Sequence, residues 1–312
     1  MSFIVLIIGF ILLIKCADWF VDACSNIAKS LGIPSLIIGL TIVALGTSAP
    51  EASVSITSSI NEMNDISLGN VVGSNISNLL LVLGLGGLFG RITVKKKVLT
   101  RDFLYMLFAS FLLLILTFIF FLSNEQIGII TRTNGIMLLA FLGLYLYVLT
   151  KDMKHQENSL EEKVKFKFEY IVFSLISLLG IIFGGQLVVN SAVIIANKLN
   201  VSQNVIALTI IAIGTSLPEI VTSVMAIKKG ESDIAIGNIL GSNIFNIFFV
   251  LGLASAISPI TFGIETFYDV LFMFFVSIIV YIMFYKNKYI NKINSVFLLI
   301  IYILYTIYIL LR

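Results

Sequence analysis

Residues 41–51 read TIVALGTSAPE, and residues 209–219 read TIIAIGTSLPE. Farther along, 65–78 reads DISLGNVVGSNISN and 233–246 reads DIAIGNILGSNIFN. One offset of 168 residues relates both pairs, with eight identities in eleven positions and nine in fourteen. Shared apolar composition does not explain these identities, which fall on Gly, Pro, Ser, Thr, Asn and Glu. A duplicated block with polar groups inside apolar segments marks a transporter built from two related halves.

The surrounding chain is that of an integral membrane protein. Hydrophobic residues make up 59% and charged residues 12% of it, about half the charged share usual in soluble domains. The net charge of +3 has a topological origin given below and does not point to nucleic acid. Cys16 and Cys24 are too far apart on one helix to pair and read as small buried hydrophobes. The first apolar segment carries Lys15, Asp18 and Asp22 and no evident cleavage site, so it reads as a retained helix.

Apolar runs of about 20 residues place ten spans near 3–24, 33–60, 66–90, 102–123, 127–150, 168–197, 203–228, 234–259, 266–285 and 293–311. Five precede the charged stretch 151–167 and five follow it. The expected domains are therefore a first five-helix repeat, 1–150, a linker, 151–167, and a second repeat, 168–312. An odd number of spans per half makes the second half enter the membrane from the opposite side, so the repeats are inverted. Loops on the linker's side hold sixteen Lys and Arg; the other side holds three, Arg132, Lys198 and Arg312. The positive-inside rule then puts the linker in the cytoplasm and both termini outside a plasma membrane. The expected fold class is all-α integral membrane, with ten transmembrane helices and breaks in the second and seventh.

The breaks follow from Pro50 and Pro218. Each lacks a backbone donor and clashes with the carbonyl four residues back, at Gly46 and Gly214. The chain is expected to kink or unwind over the Gly-Thr-Ser segments, and carbonyls freed at that depth need a cavity to line. On the second span Thr41, Ala44, Ser48, Glu51, Ser55 and Ser58 share one helix face. Thr209, Ala212, Ser216, Glu219 and Ser223 repeat the stripe. Small hydroxyl residues also serve close helix packing. A mid-span carboxylate costs several kcal/mol unless it meets a cavity or partner, and no Lys or Arg stands near Glu51 or Glu219. Asn70, Ser74 and Asn78 follow at i, i+4 and i+8, as do Asn238, Ser242 and Asn246. Of these, Asn70 and Asn238 also suit hydrogen bonding to a neighbouring backbone. Gly69/Gly73 and Gly237/Gly241 let these helices press against the broken ones. The available ligands are carboxylate, hydroxyl, amide and carbonyl oxygens, the set preferred by Ca²⁺. No Cys or His cluster suits a softer metal.

GTSAPE with GSNISN, and GTSLPE with GSNIFN, resemble the paired α-repeats of the cation/calcium exchanger superfamily, and most of all its prokaryotic sodium/calcium exchangers. The resemblance implies a site between the second, third, seventh and eighth spans, with the first and sixth sliding across them. It implies ligand roles for Glu51 and Glu219, for Thr47, Ser48, Thr215 and Ser216, and for the carbonyls of Ala44 and Ala212. Ser74 and Ser242, with Asn78 and Asn246 at the middle, complete the set. Some relatives, potassium-dependent ones and certain archaeal ones among them, carry Asp where this chain has Asn246, so potassium coupling is not expected. The reading is an antiporter and not an enzyme, exporting Ca²⁺ against Na⁺ electrogenically, with inorganic cations and membrane lipid as its partners. No cofactor, nucleic acid or obligatory protein partner is expected. The alternatives are a Ca²⁺/H⁺ antiporter on the same scaffold and a Ca²⁺-selective channel. Asp18 and Asp22 read as a local ion pair with Lys15 or as a cytoplasmic vestibule for cations.

Overall fold

A computed structural model describes residues 2–61, 64–122, 127–155, 165–199 and 212–311. In chain order its principal helices are α1 (Ser2–Leu31), α2 (Ser35–Thr47), α3 (Ala49–Ile60), α4 (Ile66–Phe89), α5 (Lys96–Ile119), α6 (Arg132–Lys151) and α7 (Phe168–Lys198). They are followed by α8 (Ala212–Thr215), α9 (Leu217–Lys228), α10 (Ser232–Ile257), α11 (Ile264–Asn287) and α12 (Lys292–Leu311). Among the described residues eight are individually long and apolar enough to cross a membrane, and the bent pair α2–α3 makes a ninth candidate span. The expected span 203–228 is described only from Ala212 onward. Thr209 and most of the linker, 156–164, lie outside the described residues.

The ends of these helices are set by local chemistry. Gly32 takes a left-handed φ of 65° after α1, and Ile33 N–H closes back onto Ala28 O at 2.9 Å. That is a Schellman cap, and Pro34 behind it prevents the helix from resuming. Gly230, with φ 78°, ends α9 in the same way, with Glu231 N–H donating to Ala226 O at 2.9 Å.

α4 and α10 form the centre of the molecule, with α10 buried along nearly its whole length. α2 crosses α10 at backbone contact. A Cβ at Gly237 would lie 2.6 Å from Leu36 O, and one at Gly39 would lie 2.6 Å from Ile234 O. Gly241 is equally tight, 2.6 Å from the Ala44 Cβ. The close packing expected at Gly237 and Gly241 is thus present. At Gly69 and Gly73 no atom of the described residues comes within 4 Å of an added Cβ, and the matching stretch 200–211 is outside the described residues. α1 runs along α7, where a Cβ at Gly184 would lie 2.9 Å from Leu13 N. The outer faces of these two helices present Ile7, Ile8, Phe173 and Leu179, all more than half exposed. Such large apolar surface is what lipid would cover.

Two short strand pairs accompany the helices of this all-α fold. β1 (Ile92–Thr93) pairs antiparallel with β4 (Tyr289–Ile290), and β2 (Gly128–Ile130) pairs with β3 (Ile260–Phe262). Two- and three-residue strands are too short to leave a periodic trace. β1 and β2 sit at opposite ends of α5, as β3 and β4 do of α11. The loop before α5 therefore pairs with the loop after α11, and the loop after α5 with the loop before α11.

The expected pairing of Asp18 with Lys15 is replaced by a long-range one. Lys229 Nζ, beyond the end of α9, lies 2.8 Å from Asp18 Oδ1 and 2.6 Å from Asp22 Oδ1. The turn at Gly230 also brings Glu231 to α1, where Ser25 Oγ donates to it at 2.6 Å and Lys29 lies 3.8 Å away. These contacts fasten the end of α1 to the turn between α9 and α10.

Candidate cation site

The backbone departs from the helix in the same way at two serines. At Ser48 the backbone leaves the helical region (φ −82°, ψ 6°), and at Ser216 it does the same (φ −85°, ψ 2°). α2 and α3 meet there at a bend of 47°. The disruption is smaller than unwinding of the whole Gly-Thr-Ser segment: Ser48 N–H still reaches Ala44 O at 3.0 Å, and α8 runs through Thr215. Proline sits within the first two positions of each following helix, where its missing N–H has no intrahelical partner to lose. Glu51 and Glu219 then fall in the first turns of α3 and α9, where the exposed N–H groups favour negative charge.

Neither serine caps its own helix. Each reaches across to the other half. Ser48 Oγ donates to Glu219 Oε1 at 3.0 Å, and Ser216 Oγ donates to Glu51 Oε1 at 3.4 Å. Ser74 Oγ on α4 also donates to Glu51 Oε1, at 3.4 Å. Both carboxylates are fully buried. Among the described residues no Lys or Arg pairs with either, and no cluster of three or more His, Cys, Asp or Glu is present.

The remaining positions separate into two groups. Asn70 and Asn238 are engaged in packing: Asn70 Nδ2 donates to Ser55 Oγ at 3.0 Å and to Glu51 O at 3.2 Å, and Asn238 Nδ2 donates to Ser223 Oγ at 3.0 Å. Thr47 Oγ1 donates to Asn238 Oδ1 at 3.0 Å. Thr41 bonds back to Ile37 O at 2.6 Å, Ser55 Oγ donates to Ser67 O at 3.4 Å, and Ser67 Oγ donates to Ser55 O at 3.3 Å. These residues hold the helices together. By contrast, Glu51 Oε2, Glu219 Oε2, Ser242 Oγ, Asn78 Oδ1 and Asn246 Oδ1 are buried and, among the described residues, without a hydrogen-bond partner. Buried polar atoms are normally paired, so five such oxygens on four helices are a donor set suited to a hard cation. Ala44 is buried, with its carbonyl accepting from Ser48 N–H and, at 3.4 Å, from Thr47 Oγ1. Ala212 opens α8; its side chain is outside the described residues.

Three features escaped the sequence reading. α4 and α10 each contain a π-helical turn starting at the middle amide, Asn78–Val82 and Asn246–Leu251, and α2 contains another at Gly39–Val43. Such turns recur at functional sites because they re-aim side chains. A cavity of 190 Å³ beside the first break is lined by Pro50, Ser53, Gly214 and Thr215 and, from α7, by Gln186 and Asn190. The i, i+4 spacing of those two amides in an apolar run was the available signal. The third feature is Asn75, adjacent to Ser74, whose bonds are described below.

Comparison with known proteins agrees with this architecture. The profile described as “Sodium/calcium exchanger protein” matches residues 1–151 and 169–311. The inner membrane protein YrbG of Escherichia coli (strain K12) is 39% identical over 265 residues, 81% of this chain and 79% of the relative. The sodium/calcium exchanger MaX1 of Methanosarcina acetivorans is 31% identical over 344 residues, covering 98% and 97%. A solved structure of the sodium-calcium exchanger NCX_Mj superposes with a TM-score of 0.83 at 30% identity, over 97% of this chain and 96% of that one. The chain belongs to the sodium/calcium exchanger family, whose members are membrane transporters and not enzymes.

Proposed function

We propose that this protein exports Ca²⁺ in exchange for Na⁺ across a plasma membrane, electrogenically and without K⁺. The observation that carries the reading is the crossed pair of bonds Ser48–Glu219 and Ser216–Glu51. It draws the two breaks together and leaves one oxygen of each carboxylate unpaired and buried. The proposed ligands are Glu51 and Glu219, the hydroxyl or carbonyl oxygens of Thr47, Ser48, Thr215 and Ser216, the hydroxyls of Ser74 and Ser242, the amides of Asn78 and Asn246, and the carbonyls of Ala44 and Ala212. Two carboxylates match one Ca²⁺ in charge, and the same oxygens suit Na⁺. No ligand or ATP is needed beyond the ion gradients.

The proposed architecture is ten spans in two inverted five-helix repeats, with the second and seventh broken. The reciprocal loop pairing of β1 with β4 and of β2 with β3 supports it, because an axis in the membrane plane exchanges those two pairs. The proposed topology puts both termini outside and 151–167 in the cytoplasm. With Cys16 and Cys24 replaced, an Asn158→Cys variant in intact cells should resist a membrane-impermeant maleimide until the cells are opened. Labelling from outside would reverse the orientation.

The test of function is ⁴⁵Ca²⁺ uptake into proteoliposomes under separately imposed Na⁺, H⁺ and K⁺ gradients. A Na⁺ gradient is expected to drive uptake, with no loss of rate when K⁺ is absent on both sides. Asn246 motivates the second expectation, since it places an amide where a potassium-coupled relative has a carboxylate. Net charge movement couples to membrane potential by about 2.3 kcal/mol per elementary charge per 100 mV, so a valinomycin-clamped potential should shift both rate and end-point. Flux that ignores Na⁺ and follows a pH gradient selects the proton-coupled antiporter, and flux that needs no counter-ion selects a channel.

A further inference from the structure

The two middle amides, Asn78 and Asn246, occupy equivalent positions in the repeat but have different surroundings. Asn246 Nδ2 donates to Asn75 Oδ1 at 3.1 Å, and Asn75 Nδ2 donates in turn to the backbone carbonyl of Asn243 at 3.3 Å. All three residues are at most 1% exposed. The chain of bonds has one consistent direction. A backbone carbonyl only accepts, so the NH₂ of Asn75 must face Asn243 O. Its Oδ1 is then the end that faces Asn246, and an acceptor there calls for the NH₂ of Asn246. The Asn246 oxygen is left turned away, buried and unpaired. Flipping either amide would set oxygen against oxygen or leave a buried N–H without a partner.

The repeat supplies the contrast. Asn243 is the counterpart of Asn75, yet its Nδ2 points to Met106 Sδ at 3.8 Å and its Oδ1 has no partner. It does not hold Asn78, whose Nδ2 and Oδ1 both lack a partner among the described residues. One middle amide is therefore locked and the other is free to turn.

We infer that Asn75 is a positioning residue that fixes the Asn246 amide with its oxygen toward the transported cation, while the unheld Asn78 adapts to the ion present. The inference rests on the ligand set proposed above. A neutral amide is a usable cation ligand only through its oxygen, because its NH₂ end repels a cation; a carboxylate in its place would have two equivalent oxygens and need no such holder. Asn75 thus gives an amide site the orientation that an aspartate site has without help.

The test is a double-mutant comparison of Ca²⁺ Kd by isothermal titration on the purified full chain, with uptake kinetics alongside. Asn75→Leu should raise the Kd roughly tenfold, on the order of one lost hydrogen bond, and raise the KM with kcat little changed. In an Asn246→Asp background the same substitution should change the Kd less than about twofold, because nothing remains to be oriented. An equal rise in both backgrounds would assign Asn75 to helix packing alone, and no rise in the parent chain would remove its role. Where Asn75→Leu does not insert, Asn75→Ser withdraws the acceptor in a smaller polar side chain and carries the same two expectations. Glu51→Gln is measured in parallel: if it binds Ca²⁺ normally the site reading fails, whereas its loss together with a normal Asn75→Leu refutes the positioning role only.

Discussion

Glu51→Gln and Glu219→Gln are each expected to abolish Ca²⁺ exchange by a protein that still folds. Glutamine keeps the size of the side chain and an oxygen for the serines: Ser216 and Ser74 both donate to Glu51 Oε1, and Ser48 donates to Glu219 Oε1. The helix breaks and the cross-half bonds should therefore persist. What disappears is one of the two negative charges proposed to face a divalent ion. At about 4 Å and an effective dielectric near 20, one charge attracts Ca²⁺ by roughly 8 kcal/mol before desolvation offsets part of it. Even half of that is on the order of a thousandfold in affinity. ⁴⁵Ca²⁺ uptake into Na⁺-loaded proteoliposomes, with a size-exclusion profile to confirm folding, measures it. Near-normal uptake by either variant would remove the central claim.

The second large effect concerns packing. Gly237→Ala should destabilise the protein and Gly237→Val should prevent its folding. The new Cβ would lie 2.6 Å from Leu36 O and 2.8 Å from Gly39 Cα. Both are backbone atoms, so no side chain can rotate away. α2 would have to lift from α10, and α2 carries Ala44 and Thr47. Overpacking of this kind costs about 3 kcal/mol or more, roughly 5–10 °C in Tm for a chain of this size. Gly143 on α6 has no atom of the described residues within 4 Å of an added Cβ, so Gly143→Ala is the control and should match or exceed the parent in stability. Thermal unfolding in detergent distinguishes the two. A Gly237→Ala protein with the parent's Tm would mean that the crossing is looser than these distances require.

The amino-acid sequence by itself determined the membrane class, the duplication, the places of the two prolines and the two carboxylates. Each of these follows from a cost that acts locally. A glutamate in an apolar run is expensive wherever the run ends up, and a proline removes its own donor in any helix. The 168-residue offset then showed that both costs are met twice. Only the tertiary structure decided which groups meet. Ser48 donates to Glu219 and not to its neighbour Glu51, Lys229 pairs with Asp18 and Asp22 in place of Lys15, and Asn75 holds Asn246. These partners lie 171, 211 and 171 residues apart for Ser48–Glu219, Lys229–Asp18 and Asn75–Asn246. Helical periodicity relates residues three and four positions apart and carries no information about how two halves dock. The difference between the middle amides has the same origin. GSNISN and GSNIFN read as equivalent, and only the docked helices give Asn246 a partner that Asn78 lacks.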